Sequence, residues 1–531
     1  MHPAPLPTPS VLGDHLRLGA LRSPDRIALA VVDGESETYR ELDTVTNRAA
    51  NALLAAGLER GDRLAIWMAN DLEYLHVYLA GLKAGLVVVQ LNVRHTAAEA
   101  DYQLQDSGAV ALVFDDSAAE RVEQLSTRDL LRVLIAVGED RVGGARDWSR
   151  IRDAGSARRV DRGPVADDLA VIAYTSGTSG FPKGAELTHR SMRALGATNA
   201  LSNRYVARST QVFGLSLSFA AGIPAHVLPH LQVGGTTHLM PAWDTERLVD
   251  AIDELRATFT VLPSPPIPEF CEVVNARRTT LPSLVSVLHS TSKAPEQHLR
   301  ILVETIGPRL VEGWGMTENS GGLVAATTRA DYESARPGIY ASTGVPVPDA
   351  VVRVLDDDDQ DLPHDGTSIG QLVFHSGSLA RGYWNRPDAS AQSFRDGWYH
   401  SGDLGSIDPD GYVTVQDRRT DLILSGGMNV YPSEIERVLL EVEGVVSCAV
   451  VAAPHERWGQ VPVAFVVRSD GRVGEAELLG HARGQLAGYK VPTTIRFVDS
   501  LPVNASNKVL RRELRDLLER EDPRSNLPKK R

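Results

Sequence analysis

"LAVIAYTSGTSGFPKG", Leu169–Gly184, is the stretch on which the reading of the whole chain turns. Leu169–Tyr174 is short and mostly apolar, as a strand buried on both faces would be. It opens into a loop with three glycines, four serine or threonine hydroxyls, Pro182 and Lys183. Glycines let backbone N–H groups turn toward a common point, hydroxyls add donors, and the lysine adds positive charge. Such a loop suits the capture of an anion. The Walker type of phosphate loop is excluded, because it ends Gly-Lys-Ser/Thr and Lys183 here lies between Pro182 and Gly184. A flexible linker is disfavoured, since Pro-Lys-Gly closing the loop behind a strand stiffens what a linker leaves free.

Upstream of this loop, helical patterns alternate with short apolar strands. "TYRELDTVTNRAANALLAAGL", from Thr38, spaces its apolar residues by three and four and reads as a helix, and "DRLAIWMAN" follows as a strand. "EYLHVYLAGLKAGLVVVQLN" repeats the alternation, and "AVALVFDD" is a further strand. This rhythm predicts α/β layers with buried, largely parallel strands. "GEDRVGGARDWSRIRDAGSARRVDRGPVADD" is polar and reads as a surface connection into Leu169. Beyond about residue 340 the texture changes. "VVRVLDDDDQDLPHDGTSIGQLVFHSG" predicts a β-rich subdomain, with Asp356–Asp359 as a solvated turn. After "DRRTDLILSGGMNVYPSEIE" the pattern is helix, strand, strand, helix, a small α+β domain.

The totals fit this picture. At 531 residues the chain predicts about three domain-sized units. Apolar residues make up 43% and charged residues 23%, the balance of a globular protein. No apolar run is long enough to span a membrane, and no signal peptide is expected. The net charge of −13 argues against nucleic acid as a partner. Cys271 and Cys448 are the only cysteines, which excludes a disulfide framework and fits a reducing, cytoplasmic setting. The fifteen histidines show no metal-ligand spacing. Only seven lysines occur, and two of them, Lys183 and Lys508, lie in the segments singled out here.

Further segments carry chemistry-bearing residues in order along the chain: "EGWGMTENSG" (Glu312–Gly321), "GQLVFHSGSLARGYWNRP", "GWYHSGDLGSID", "DRRTDLILSGGMNVYPSEIE" and "LPVNASNKVLRREL". With the opening loop they resemble the motifs of the adenylate-forming superfamily: acyl-CoA synthetases, peptide-synthetase adenylation domains and firefly-type luciferases. The likeness covers nearly the whole chain. It implies a large N-terminal domain, residues 1–417, of α/β layers plus a β-rich subdomain. It further implies a hinge at 418–420 and a small mobile α+β domain, 421–531.

The resemblance also implies a reaction. A carboxylate attacks the α-phosphate of ATP to give acyl-AMP and pyrophosphate, and the thiol of CoA then takes the acyl group. Holding two anions together and stabilising charge at phosphorus is the chemical problem. By resemblance, Thr175, Ser176, Gly177, Thr178, Ser179, Gly180 and Lys183 would hold the outer phosphates, and Thr317 would donate to the α-phosphate. Glu318 would ligate Mg²⁺, a hard cation that prefers carboxylate oxygen. Gly313, Trp314 and Gly315 would border the adenine, with the indole as a stacking face. Asp403 would accept from the ribose hydroxyls, with Arg418 beside it. Lys508 would be the mobile cation of adenylation. Gly426 and Gly427 would let the pantetheine arm of CoA pass close to backbone.

Departures from the family pattern bear on rate and substrate. Asp417 stands where glycine usually precedes Arg418, and Thr420 replaces the charged pivot. Asn507 replaces the glycine before the terminal lysine, and Lys293 lies in "STSKAP" where small residues are usual. In "GLSLSFAAGI", Phe219 takes the place of a histidine. Phe219, Ala220, Ala221 and Gly222, with Gly315 and Met316, predict an apolar acyl pocket. No aspartate is present there to pair with an α-ammonium group. A fatty, aryl or alicyclic acid is the expected substrate, and an acid–thiol ligase using free CoA is the leading expectation. Two alternatives stand beside it: a ligase that loads a carrier-protein thiol, and a non-catalytic nucleotide- or acyl-binding protein.

Overall fold

The computed structural model describes the chain except residues 1–10, 140–141, 161–162, 176–181, 291–293, 456, 470, 504–508 and 522–531. It divides into two compact units, Met1–Val352 with Phe374–His400, and Arg353–Val373 with Ser401–Arg531.

Two large sheets build the first unit. The seven-stranded sheet runs Arg146–Asp147, Val133–Val137, Ala111–Asp115, Arg63–Trp67, Val87–Gln90, Leu169–Thr175, Lys183–Thr188. All its pairs are parallel except the last, where Leu169–Thr175 and Lys183–Thr188 form an antiparallel hairpin. Alternate residues of its strands feed two cores. Leu64 and Ile66 point to one face, and Ala65 and Trp67 to the other. The nine-stranded sheet is parallel through its middle and antiparallel at its ends. Strands Ser286–His289 and Leu310–Gly315 lie side by side in it, parallel, and deliver their carboxyl ends to the same edge. That is where α/β sheets hold ligands.

The helix Leu72–Ala84 is apolar nearly all round and is buried at twelve of its thirteen positions. Such a helix belongs inside a core, and it joins the cluster that includes residues of both sheets. Asp71 caps its start by accepting from Glu73 N–H, and Gly85, at φ 74°, closes its end. The helix Ala97–Ser107 opens with a full capping box, Thr96 and Glu99.

A third sheet, Ala350–Leu355, Gly370–Ser376, Trp398–Ile407, Phe394–Arg395, with Val413–Arg418 on Trp398–Ile407, is the expected β-rich part. The second unit also carries a five-stranded sheet built around the long pair Val445–His455 and Gly459–Arg468. The helices Pro432–Leu440, Glu475–Gln485 and Arg511–Glu521 belong to it as well, so the unit is α+β. Among the described residues no helix is long and apolar enough to cross a membrane.

One expectation fails. The polar connection before Leu169 contains a helix, Trp148–Ala154, whose tryptophan is 1% exposed. One aromatic in a polar run leaves no periodicity to read. Its burial comes from a distant partner, since Trp148 Nε1 donates to Glu73 Oε2 at 2.6 Å. Glu73 also pairs with Arg152 and, at 3.0 Å, with His76 Nδ1. His76 Nε2 meets Glu37 at 2.8 Å. Burial alone would push the His76 imidazole down. The hydrogen bonds and charges of Glu37 and Glu73 outweigh it and raise it to about 9.

A raised folded-state pKa stabilises fully below the ordinary histidine value and stops stabilising as pH climbs through about 9. The thermal midpoint is therefore expected to drop as pH rises from 7 to 10, with about 2–3 kcal/mol of stability lost. A His76→Gln variant should lack that part of the fall. An unchanged pH slope in the variant would show that the cluster does not contribute it.

Candidate active site

The hairpin that frames the opening loop is in register at Tyr174↔Gly184 and Thr175↔Lys183. Thr175 and Lys183, both half-buried, thus face each other across its mouth. Ser176, Gly177, Thr178, Ser179 and Gly180 lie outside the described residues. The Lys183 ammonium stands 5.2 Å from the centre of the Tyr383 ring, a cation–π contact.

Tyr383 links that lysine to the metal candidate. Its hydroxyl donates to Glu318 Oε1 at 2.7 Å and lies 3.0 Å from the Tyr399 hydroxyl. Burial, then the Glu318 charge, raise the Tyr383 phenol, so it stays protonated and serves as a donor. Glu318 sits on a single 3₁₀ turn, Thr317–Asn319, directly after the strand Leu310–Gly315. Its backbone carbonyl accepts from Ala380 N–H at 2.8 Å, and its side chain is buried. Oε2 has no partner among the described residues. The turn thus presents one free carboxylate oxygen, with half-buried Thr317 beside it.

Two left-handed residues, Ser320 at φ 56° and Gly321 at φ 82°, return the chain after this turn. A Cβ at Gly321 would lie 2.8 Å from the Ala221 Cα. The turn therefore packs backbone to backbone on the segment expected to floor the acyl pocket. Phe219, Ala220 and Ala221 are half-buried there, and Gly222 begins a π-helix, Gly222–Val227. Single π turns are frequent at functional sites. Leu217 fixes the segment, its N–H bonding Asn70 and its carbonyl accepting from Gln90. His226, on the π-helix, is pushed down to about 4 by burial and adds no charge at neutral pH.

Gly313 packs on Leu323, Gly315 lies open against the Gly322 backbone, and Met316 is half-buried. Trp314 is 7% exposed and meets Phe374 edge to face, centroids 5.7 Å apart. In this structure the indole packs as a core side chain.

In the second unit, Asp403 and Arg418 are direct cross-strand partners, and the guanidinium pairs with the carboxylate at 2.7 Å. Asp403 is 4% exposed, and its N–H bonds the Ser401 hydroxyl, which in turn bonds the Leu372 carbonyl. Gly426 and Gly427, at φ 59° and 82°, are the exposed two-residue turn of a tight hairpin. Asp417 accepts from Ser433 N–H, and burial together with Glu436 pushes its carboxyl up to about 6. Thr420 is exposed. Lys508, Asn507 and Lys293 lie outside the described residues.

The structure thus brings Lys183 and Glu318 together through Tyr383, and sets Asp403 against Arg418. Sequence reasoning missed Tyr383 and Tyr399. Both lie inside quoted motifs, and the position of Tyr383 in "ARGYWNRP" was the signal available.

The sequence profile of the AMP-binding enzyme family matches residues 16–384, and that of the AMP-binding enzyme C-terminal domain matches residues 434–508. The feruloyl-CoA synthase of Amycolatopsis sp is 36% identical over 488 residues, 91% of this chain and 94% of that protein. A long-chain-fatty-acid–CoA ligase of Mycobacterium tuberculosis is 30% identical over 493 residues, 90% of this chain and 92% of that protein. The solved o-succinylbenzoate CoA synthetase of Bacillus subtilis, in complex with its acyl-adenylate intermediate, superposes with a TM-score of 0.83 at 28% identity. That match covers 94% of this chain and 98% of the other. The chain belongs to the AMP-binding enzyme family of the adenylate-forming superfamily and is an acyl-CoA synthetase, an acid–thiol ligase that uses ATP and CoA.

Proposed function

We propose that this synthetase activates an apolar carboxylic acid, with an aryl acid as the first candidate, through acyl-AMP and passes it to free CoA. The carrying observation is the Lys183–Tyr383–Glu318 constellation packed against an uncharged acyl segment. An acid without a charged substituent suits that segment, which carries no charged side chain from Phe219 to Gly222. The feruloyl-CoA synthase likeness supports an aryl acid.

In this reading the loop from Thr175 through Gly180 and Lys183 holds the β- and γ-phosphates, and Thr317 donates to the α-phosphate. Glu318 Oε2, held in place by the Tyr383 bond to Oε1, is a fitting ligand for Mg²⁺, which would neutralise developing charge on the phosphates. Asp403, oriented by Arg418, accepts from the ribose diol. Gly315 offers open backbone beside the adenine. Trp314 supports that wall from behind through Phe374. Lys508 brings the second cation to the reacting carboxylate. Residues 418–420 are the hinge on which the small domain, 421–531, turns against 1–417. The exposed Gly426–Gly427 turn then borders the pantetheine arm. A cytoplasmic setting belongs to the same reading, supported by the free thiols of Cys271 and Cys448.

The test is an acid panel spanning hydroxycinnamic, benzoic, alicyclic and fatty acids, incubated with ATP, Mg²⁺ and either CoA or a holo-carrier protein. CoA thioesters of aryl acids are the expected product. Product with the carrier alone would move the assignment to a carrier-loading ligase. No acid-dependent ATP–pyrophosphate exchange with any acid would favour a binding protein that kept the fold.

A further inference from the structure

We propose that Asp106 is a positioning residue for acid activation, fixing the Tyr174 end of the phosphate-loop hairpin and the Tyr383 segment to one helix end, whose Tyr102 holds the hairpin's other end. The proposal rests on the reading that Lys183 and Glu318 face the triphosphate.

Asp106 is the next-to-last residue of the helix Ala97–Ser107, and its side chain is 9% exposed. All its polar atoms with described partners point at the proposed phosphate site's framework. Oδ2 accepts from the Tyr174 hydroxyl at 2.8 Å, at the end of the first hairpin strand. Oδ1 accepts from the Arg386 guanidinium at 2.5 Å. Its backbone carbonyl accepts from Trp384 Nε1 at 3.1 Å and Asn385 Nδ2 at 3.3 Å. One turn earlier on the same helix, the Tyr102 hydroxyl donates to the Pro182 carbonyl at 2.8 Å, just before Lys183. The segment is also tied straight to the hairpin, because Trp384 N–H bonds the Gly184 carbonyl at 2.8 Å.

A single helix end therefore holds Tyr174 and Pro182, on either side of the loop, and residues 384–386, next to Tyr383. Tyr383 is the residue that touches both the Lys183 ammonium and Glu318. Burial and the Asp106 carboxylate keep the Tyr174 phenol protonated, so it remains a donor. A charge-assisted pair to Arg386 adds direction to the hold. The Asp106 carboxylate is placed to set the spacing between the lysine and the glutamate without touching a reactant. A misplacement of about 1 Å at such groups costs rate heavily.

The experiment compares Asp106→Ala, Asp106→Asn and Tyr174→Phe with the parent enzyme in ATP–pyrophosphate exchange, and in thioester formation from supplied acyl-AMP. Asp106→Ala is expected to raise the KM for ATP about tenfold, with the KM for the acid and the thioester step changed by less than about twofold. Asp106→Asn, which keeps an oxygen for Tyr174, should recover part of the loss. Tyr174→Phe, which removes one hydroxyl, should give a smaller rise in the same KM. Equal loss for ATP and acid with a lowered thermal midpoint would reduce Asp106 to a structural residue and overturn the proposal. So would an unchanged KM for ATP in both Asp106→Ala and Tyr174→Phe. Lys183→Ala in the same assay separates the two layers. If it raises the KM for ATP, the reading of the site stands and the Asp106 results decide the proposal. If it leaves that KM unchanged, the site reading itself fails.

Discussion

Replacing Lys508 with alanine is expected to slow acyl-adenylate formation by about 10²–10³-fold, the loss typical when one preorganised charge is removed from a developing anion. Thioester formation from supplied acyl-AMP should stay within about threefold of the parent enzyme, because phosphorus is no longer attacked in that step. A carboxylate and a triphosphate repel each other, and in the proposed site Lys183 and Mg²⁺ are assigned to the outer phosphates, which leaves a further cation to be supplied at the reacting carboxylate. The match to the C-terminal domain of the family runs to residue 508 itself. Pre-steady-state measurement of both half-reactions with one accepted acid checks this. Equal loss in the two halves would contradict a role confined to adenylation.

Replacing Glu318 with glutamine is the second large effect, about 100-fold on adenylation, with half-saturation in Mg²⁺ moved to higher concentration. The amide keeps the shape of the side chain and an oxygen for the Tyr383 hydroxyl. The turn Thr317–Asn319 keeps its backbone bond from Ala380. Only the negative charge is lost, and with it the attraction of the free oxygen for a hard cation. Exchange rates titrated against Mg²⁺, with the thermal midpoint as a control for folding, give the answer. Exchange close to that of the parent at every Mg²⁺ concentration would remove Glu318 from the metal site.

Much of this was legible along the chain, for a chemical reason. Residues that meet phosphate, ribose or metal are constrained in type over a few positions, so Lys183, Glu318 and Asp403, proposed for those roles, stand out in short motifs. The strand–helix rhythm of the first half was also readable, because buried parallel strands are apolar without break and their helices keep a periodic apolar face. What holds these residues in place was not readable. Tyr383 reaches Glu318 across 65 positions and Arg386 reaches Asp106 across 280. No local pattern encodes a contact of that span. Trp148 disappeared into a polar run for the same cause, since its partner Glu73 lies 75 positions away. Asp403 and Arg418 were each picked out, but their ion pair follows from strand register, which spacing alone does not reveal.

The close approach of Gly321 to Ala221 has a bearing on any effort to redirect this enzyme to new acids. A larger side chain at Ala220 or Ala221, in the proposed acyl pocket, would press on the backbone of the turn that carries Thr317 and Glu318. If that reading of the pocket holds, selectivity and turnover are mechanically joined, and variants chosen for a smaller acid should surrender speed on every acid. Changes at Phe219, which the Gly321 contact does not involve, offer the freer route to altered scope.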